Sequence, residues 1–176
     1  MADSKRWQVA LIEAHPTLFH PEPEYPADVD GYPTCREGWQ DILERACARI
    51  TAALTGDGDV FSFAEIKEKY GTLRIYWNGY VANESRLKIE EAIALAEARS
   101  ACICESCGAE GQLYRCGDWL LTACPKHARG EPVPRKIDNV HMSFRMIGSR
   151  ARIYTCRLYD CKDDTFIDVP IELDTD

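Results

Sequence analysis

The segment Cys104-Glu-Ser-Cys107-Gly108 followed by Cys124-Pro-Lys-His127 constrains this chain more than any other feature. Two residues between paired ligands let both side chains turn back onto one ion, and Gly108 lets the backbone fold under the thiolates. Sixteen residues separate Cys107 from Cys124, enough for a short β-hairpin between the two pairs. Cys104, Cys107, Cys124 and His127 therefore read as a tetrahedral Cys₃His zinc set on a treble-clef or zinc-ribbon element spanning about 102–129. Cys102 stands too close to Cys104 for a shared bite, and Cys116 falls in the middle of the hairpin, so both are left out of the ligand set. With all four positions filled by protein, the zinc is structural, because a catalytic zinc keeps one position for water. No general-base histidine accompanies the pairs: the nearest other one is His141, outside the segment.

The chain has nine cysteines, an odd number that suits a reducing compartment better than a disulfide framework. Cys35, Cys47, Cys156 and Cys161 stand apart from the cluster and read as small buried apolar residues. The start, MADSKRWQVALIEAHP, lacks a signal-peptide apolar core, and no apolar run reaches membrane-spanning length. These features place the protein in the cytoplasm, without a membrane partner.

Residues 15–35 hold most of the early prolines and read as an ordered loop, unable to form a regular helix or central strand. A helix is expected from Glu37 to Leu54, where Trp39, Ile42, Leu43, Ala46, Ile50, Ala53 and Leu54 recur at helical spacing. VFSFAEIKEKYGTLRIYWNGY reads as a β-hairpin turning at Tyr70-Gly71-Thr72. Leu73, Ile75 and Trp77 share one face of its second strand, and Arg74 and Tyr76 the other. A second helix is expected from Asn83, as N-cap, to Ser100, with Leu87, Ile89, Ala92, Ile93, Leu95 and Ala96 buried.

Beyond the zinc segment, Gly130-Glu-Pro-Val-Pro134 breaks regular structure. Val140, Met142, Phe144 and Met146 then alternate with polar residues, as do Ile167, Val169, Ile171 and Leu173. The expected organisation is an α+β domain over 1–129 with two helices and a β-hairpin, a linker at 130–136, and a C-terminal antiparallel β-meander over 137–176.

Several stretches together resemble a family of uncharacterised small bacteriophage and prophage proteins. They are Leu11-Ile-Glu-Ala-His-Pro16 with Leu18-Phe19, Gly38-Trp39 leading into a helix with Cys47, and Ile66-Lys-Glu-Lys-Tyr-Gly-Thr-Leu-Arg-Ile-Tyr76. A helix ending Ala98-Arg99-Ser100 follows, then Cys104-x-x-Cys107-Gly108 and Trp119-x-x-Thr122-x-Cys124-x-x-His127. The resemblance covers 11–128 and leaves the segment beyond Gly130 uncovered. It implies a phage or prophage origin, hence a host cytoplasm, and zinc binding; it implies no activity.

A net charge of −8 argues against a general polyanion binder while leaving room for a local basic face. Two such faces are candidates for partner binding. One is on the hairpin, with Lys67, Lys69, Arg74 and Tyr76. The other is on the C-terminal meander, where Arg150, Arg152 and Tyr154 share a strand face and His141, Ser143 and Arg145 lie on its neighbour. Each also fits a merely solvated mixed-charge surface. No phosphate-binding glycine loop and no Ser-His-Asp or Cys-His set can be assembled. The expected function is a non-enzymatic, zinc-stabilised binding protein that engages a protein partner, such as a host or antiviral defence factor. Nucleic-acid binding through the basic C-terminal sheet is the alternative, and an enzyme of unrecognised type the third reading.

Overall fold

The computed structural model describes residues 4–20, 28–134, 140–147 and 151–169; over 4–6 and 140–156 it describes backbone alone. It is an α+β architecture in two compact units, Met1–Val133 and Pro134–Asp176. Among the described residues, no helix is long and apolar enough to cross a membrane.

The first unit opens with two helices that the sequence reading did not anticipate, α1 (Ser4–Ala14) and the one-turn α2 (Pro16–Phe19). On α1, Trp7, Leu11 and Ile12 fall on one side and are buried, the spacing of an amphipathic helix. Pro16 does not prevent α2, because it occupies the first helical turn, where its missing N–H would have had no intrahelical partner. A single 3₁₀ turn, Glu37–Trp39, leads into α3 (Gln40–Ala53), whose buried stripe is Ile42, Leu43, Ala46, Cys47, Ile50 and Ala53. Burial pushes the Cys35 and Cys47 thiols up to about 12, with Glu105 and Glu44 respectively adding to it, so both behave as small apolar groups.

The hairpin consists of β1 (Val60–Lys69) and β2 (Thr72–Tyr80). It turns at Tyr70-Gly71, and both residues have positive φ, at 57° and 80°. This is the handedness a two-residue hairpin needs. Gly71 meets it freely, whereas a tyrosine there costs about 1–3 kcal/mol. The strand runs on past Asn78-Gly79 to Tyr80. Leu73 and Ile75 are buried with Phe61, Phe63 and Ile66, and the Phe61 ring stacks on Trp77 at 5.2 Å.

Helix α4 (Asn83–Ser100) lies against β2 and packs on α3. Its N-cap is not Asn83. The cap position falls on Ala82, and the capping oxygens come from Asp59, which accepts the Ala82 N–H at 2.7 Å and the Ser85 hydroxyl at 2.6 Å. Leu87 is exposed, contrary to the expected apolar face, while Ile89, Ala92, Leu95 and Ala96 are buried. At the other end the helix satisfies the free edge of β2. The Leu73 N–H donates to Ser100 Oγ at 2.8 Å and the Ile75 N–H to Glu97 Oε1 at 3.2 Å. Side chains of a helix thus stand in for a third strand.

Strands β3 (Gln112–Cys116), β4 (Trp119–Ala123) and β5 (Glu131–Pro132) form a sheet in the order β4-β3-β5. Gly130–Pro134 is therefore not wholly irregular: Tyr114 pairs with Pro132 and Arg115 with Glu131. Proline is tolerated there because β5 is an edge.

The second unit is an antiparallel meander of β6 (Val140–Ile147), β7 (Ala151–Asp160) and β8 (Thr165–Val169), in that order. Its register separates residues that the sequence reading combined. Met146 pairs with Arg152 and Phe144 with Tyr154, while Arg145 pairs with Ile153. Cross-strand partners share a face, so the backbone places Arg152 and Tyr154 on the face of Phe144 and Met146, opposite Arg145. A two-residue turn at Gly148-Ser149 would have matched Arg145 with Arg152. Pairing of Ile147 with Ala151 leaves three residues between, and a one-residue slip exchanges the faces. Cys161, half-buried in the β7–β8 turn, is disulfide-bonded, as is Cys102, so neither is the free thiol expected from the sequence; the Cys156 side chain lies outside the described residues.

Candidate metal centre and binding face

The metal-ligating types come together where the spacing placed them. One ligand atom from each of Cys104, Cys107, Cys124 and His127 lies within 4.8 Å of all the others. Cys107 Sγ and Cys124 Sγ are 3.7 Å apart, and His127 Nδ1 is 3.3 Å from Cys124 Sγ and 3.6 Å from Cys104 Sγ. A tetrahedral ion about 2.3 Å from sulfur and about 2.05 Å from nitrogen would set sulfur pairs about 3.8 Å apart and sulfur–nitrogen pairs about 3.6 Å apart. These four side chains can hold a metal ion.

Local hydrogen bonds shape each half of the site. The Cys107 and Gly108 N–H groups donate to the Cys104 carbonyl, and the Cys104 N–H donates to Ala109 at 2.7 Å, closing a tight knuckle. Gly108, at φ 74°, supplies its left-handed residue. In the second half, the His127 and Ala128 N–H groups both donate to the Cys124 carbonyl. Burial pushes the Cys124 thiol up, but the N–H groups of His127 and Lys126, with the Cys107 and His127 side chains, outweigh it and bring it down to about 6. The thiolate form that a metal needs is favoured there. No helix follows Cys124; residues 125–127 form a turn, and the chain returns as β5.

The ligands differ in exposure. Cys104 and Cys124 are buried with Tyr114 and Ala123 in a small apolar cluster of their own, whereas Cys107 and His127 face solvent. Cys116 is exposed at the end of β3, paired with Trp119, and takes no part in the cluster.

Around the knuckle the remaining motifs converge. Gly38 lies on its backbone: the Gly38 N–H donates to the Glu105 carbonyl at 2.9 Å. The indole N–H of Trp39 donates to the Ile103 carbonyl at 2.9 Å. Arg36 holds the loop between the first two ligands, its N–H reaching Glu105 Oε1 and its guanidinium Ser106 Oγ. From the other side, the Thr122 hydroxyl donates to the Gly71 carbonyl at 2.6 Å, and the Glu105 N–H to the Thr122 carbonyl at 3.2 Å. None of these packing residues could be assigned a role from the sequence. Only the adjacency of Gly38 to an indole and of Thr122 to Cys124 hinted at one.

The hairpin candidates Lys67, Lys69, Arg74 and Tyr76 all fall on the outer, solvent side of β1–β2, where Lys67 pairs with Arg74 and Tyr76 with Glu65. Lys67 Nζ is 2.7 Å from Glu65 Oε2 and 5.7 Å from the Tyr76 ring centre. Of the other candidates, Arg150 and the side chains of Arg145, Arg152 and Tyr154 lie outside the described residues. A groove of about 560 Å³ runs between α3 and α4, lined mainly by alanine and leucine, including Ala53, Leu87, Ala92 and Leu95. The contacts of Cys104 and Cys124 with a histidine belong to the ligand set itself.

No family model, no curated protein and no solved structure matches the chain. The likeness to phage and prophage proteins rests on the sequence motifs alone.

Proposed function

We propose that the chain is a non-enzymatic binding protein whose scaffold is stapled by one structural zinc. Three thiolates and one imidazole at tetrahedral spacing are the donor set that suits zinc rather than magnesium or calcium, which take oxygen. A closed ligand set in which every position is protein goes with a structural and not a catalytic ion. A ribbon describes the element better than a treble clef, since the second ligand pair stands on a turn that leads into a strand.

The observation that carries this reading is the use of the knuckle backbone as a packing surface. The turn before α3 docks on it through Gly38, and the β1–β2 turn reaches it through Thr122. An ion holding the knuckle in shape therefore also steadies the two turns that pack on it. Such a scaffold presents a preformed face to a macromolecular partner at little ordering cost. A protein is the first such partner, and the phage and prophage resemblance extends it to a host or defence factor. Nucleic acid is the second, favoured by the charge and aromatic content of the hairpin's outer face.

The test is elemental analysis of purified protein together with affinity capture from host lysate by wild type and Cys104→Ser. One zinc per chain, and a defined partner lost with the zinc, are expected. A metal-free protein with an unchanged fold would sink the reading.

A further inference from the structure

We infer that the outer face of the β1–β2 ribbon is a docking surface for single-stranded nucleic acid, with Tyr70, Tyr76 and Tyr80 as stacking platforms and Lys67, Lys69 and Arg74 as phosphate contacts. The inference rests on reading the chain as a binding protein and names the partner's chemistry.

Folding accounts for the inner face of this ribbon and not for the outer one. Among the described residues, the large apolar or aromatic side chains that stay exposed include Tyr70 at 68%, Tyr76 at 46% and Tyr80 at 79%. All three belong to this one ribbon. Tyr70 occupies a left-handed turn position, φ 57°, that asparagine or glycine fills at less cost, and its ring gains little burial in return. Tyr76 and Tyr80 share the outer face of β2 with Arg74, by strand alternation.

Charge is segregated on the same face. The chain as a whole carries −8, yet here three cations meet two carboxylates: Glu65, 2.7 Å from Lys67 Nζ, and Glu97 of α4, 4.0 Å from Arg74. Cations and rings are interleaved: Lys67 Nζ sits 5.7 Å from the Tyr76 ring centre and Lys69 Nζ 5.4 Å from that of Tyr70. Alternation of ring and cation along a strand matches the alternation of base and phosphate along a single strand. The nine residues of β2, at about 3.3 Å each, extend about 30 Å. That accommodates a few nucleotides, at the low end of the roughly 4–16 taken by sheet-based single-strand binders.

An acidic polypeptide would answer the cations but leave three rings without planar partners. Duplex DNA would answer the phosphate contacts but keep its bases stacked within itself. Both edges of the ribbon are already engaged near its turn, which leaves less room for an added strand. Residues 31–34 lie along β1, where Pro33 bridges Ile66, and α4 side chains take the Leu73 and Ile75 N–H groups at the edge of β2.

The experiment uses the full zinc-loaded chain and fluorescein-labelled oligo-uridylate and oligo-thymidylate of about a dozen nucleotides, followed by anisotropy across a salt series. Saturable binding that weakens with salt is expected. The double variant Tyr76→Ala/Tyr80→Ala should lower affinity about tenfold or more, with zinc content and unfolding midpoint unchanged. The pair Lys67→Ala/Lys69→Ala should flatten the salt dependence by about 0.7 in logarithmic slope per contact removed. The pair Arg150→Glu/Arg152→Glu, in the other unit, should leave ribbon binding in place. The inference is overturned by absence of saturable binding to folded protein, by equal affinity for a duplex of the same length, or by tyrosine variants that bind as wild type. Displacement of the oligonucleotide by poly-L-glutamate at equal charge would also overturn it, in favour of an acidic polypeptide. Zinc content, read on the same samples, reports separately on the scaffold: metal-free folded protein would sink the zinc reading whatever the ribbon binds.

Discussion

Thr122 on β4 donates its hydroxyl hydrogen to the carbonyl of Gly71, 2.6 Å away in the turn of the preceding hairpin. The two residues are 51 apart in the chain and the contact is buried. Removing a donor from a buried carbonyl leaves that carbonyl without water or partner, at a cost of about 1–3 kcal/mol. Thr122→Val, similar in shape, should therefore destabilise the protein by about that amount in urea unfolding, and Thr122→Ser should recover most of it. Wild-type stability of the valine variant would show that the hairpins are joined by other contacts.

Gly38 makes the tighter contact. A Cβ there would come within 2.3 Å of the Cys104 carbonyl oxygen, 2.5 Å of the Glu105 oxygen and 2.6 Å of the Cys107 nitrogen. All three are backbone atoms of the knuckle, so no side chain can swing aside. Overpacking of this kind costs about 1–3 kcal/mol or more. Gly38→Ala should lower the midpoint by roughly 2–12 °C and weaken metal retention, because the knuckle must shift to admit the methyl group. Retention equal to wild type in a chelator competition would separate the knuckle's shape from this contact.

These two contacts mark where reading the sequence stops. The Cys/His cluster was legible because each residue type has one dominant use at that spacing. Helices α3 and α4 were legible from apolar periodicity, and the hairpin turn from Gly71 between two β-rich runs. Helix α1 carried the same kind of signal in Trp7, Leu11 and Ile12 but was read only for the absence of a leader. Contacts set by distant parts of the chain left no local trace. Asp59 caps a helix that begins more than twenty residues later, and Ser100 and Glu97 bond to a strand. Nor could the meander register be inferred from alternation, since alternation is the same whichever length the turn takes.

Removal of the metal should have a local effect. The ligand cluster with Tyr114 and Ala123 is separate from the main core built around Trp39, Phe63 and Ile66. Cys107 and His127 face solvent, which gives a chelator access. Cys104→Ser or Cys124→Ser should lose most of the zinc, and hydrogen-exchange protection should fall over 102–133 and in the two turns docked there, 36–39 and 70–71, while α3 and α4 keep theirs. Global unfolding on chelation would show that the metal holds the main core as well.

The cap at α4 predicts a pH effect. The Ser85 hydroxyl, and then the N–H groups of Ala82 and Gly56, hold the Asp59 carboxyl below the usual carboxylate range. A group whose folded pKa is depressed contributes stability that is complete above its unfolded value, about 3.9, and is lost as pH falls through the folded value. Asp59→Ala should lower stability at neutral pH and make the acid limb of the stability–pH curve shallower. The same slope in variant and wild type would place the acid sensitivity in other carboxylates.

The division of the chain gives the sharpest test of where the first unit ends. The Pro-rich stretch suggests a cut after Gly130, but Glu131 and Pro132 pair with β3, and the Val133 N–H donates to the Leu113 carbonyl at 2.9 Å. Leu113 also touches the β1–β2 turn, since a Cβ on Gly71 would meet its Cδ1 at 2.5 Å. Cutting after Gly130 strips an edge from the sheet that carries the metal ligands and leaves β3 with unpaired backbone groups. Each lost backbone hydrogen bond costs about 1 kcal/mol net. The fragment 1–133 should therefore be soluble, cooperatively folding and loaded with one zinc. The fragment 1–130 should bind zinc more weakly and unfold at lower urea, by about 1–3 kcal/mol. Equal stability of the two would show that β5 is ornamental and the linker begins at Gly130. Failure of 1–133 to fold would show that residues beyond Val133 belong to the first core.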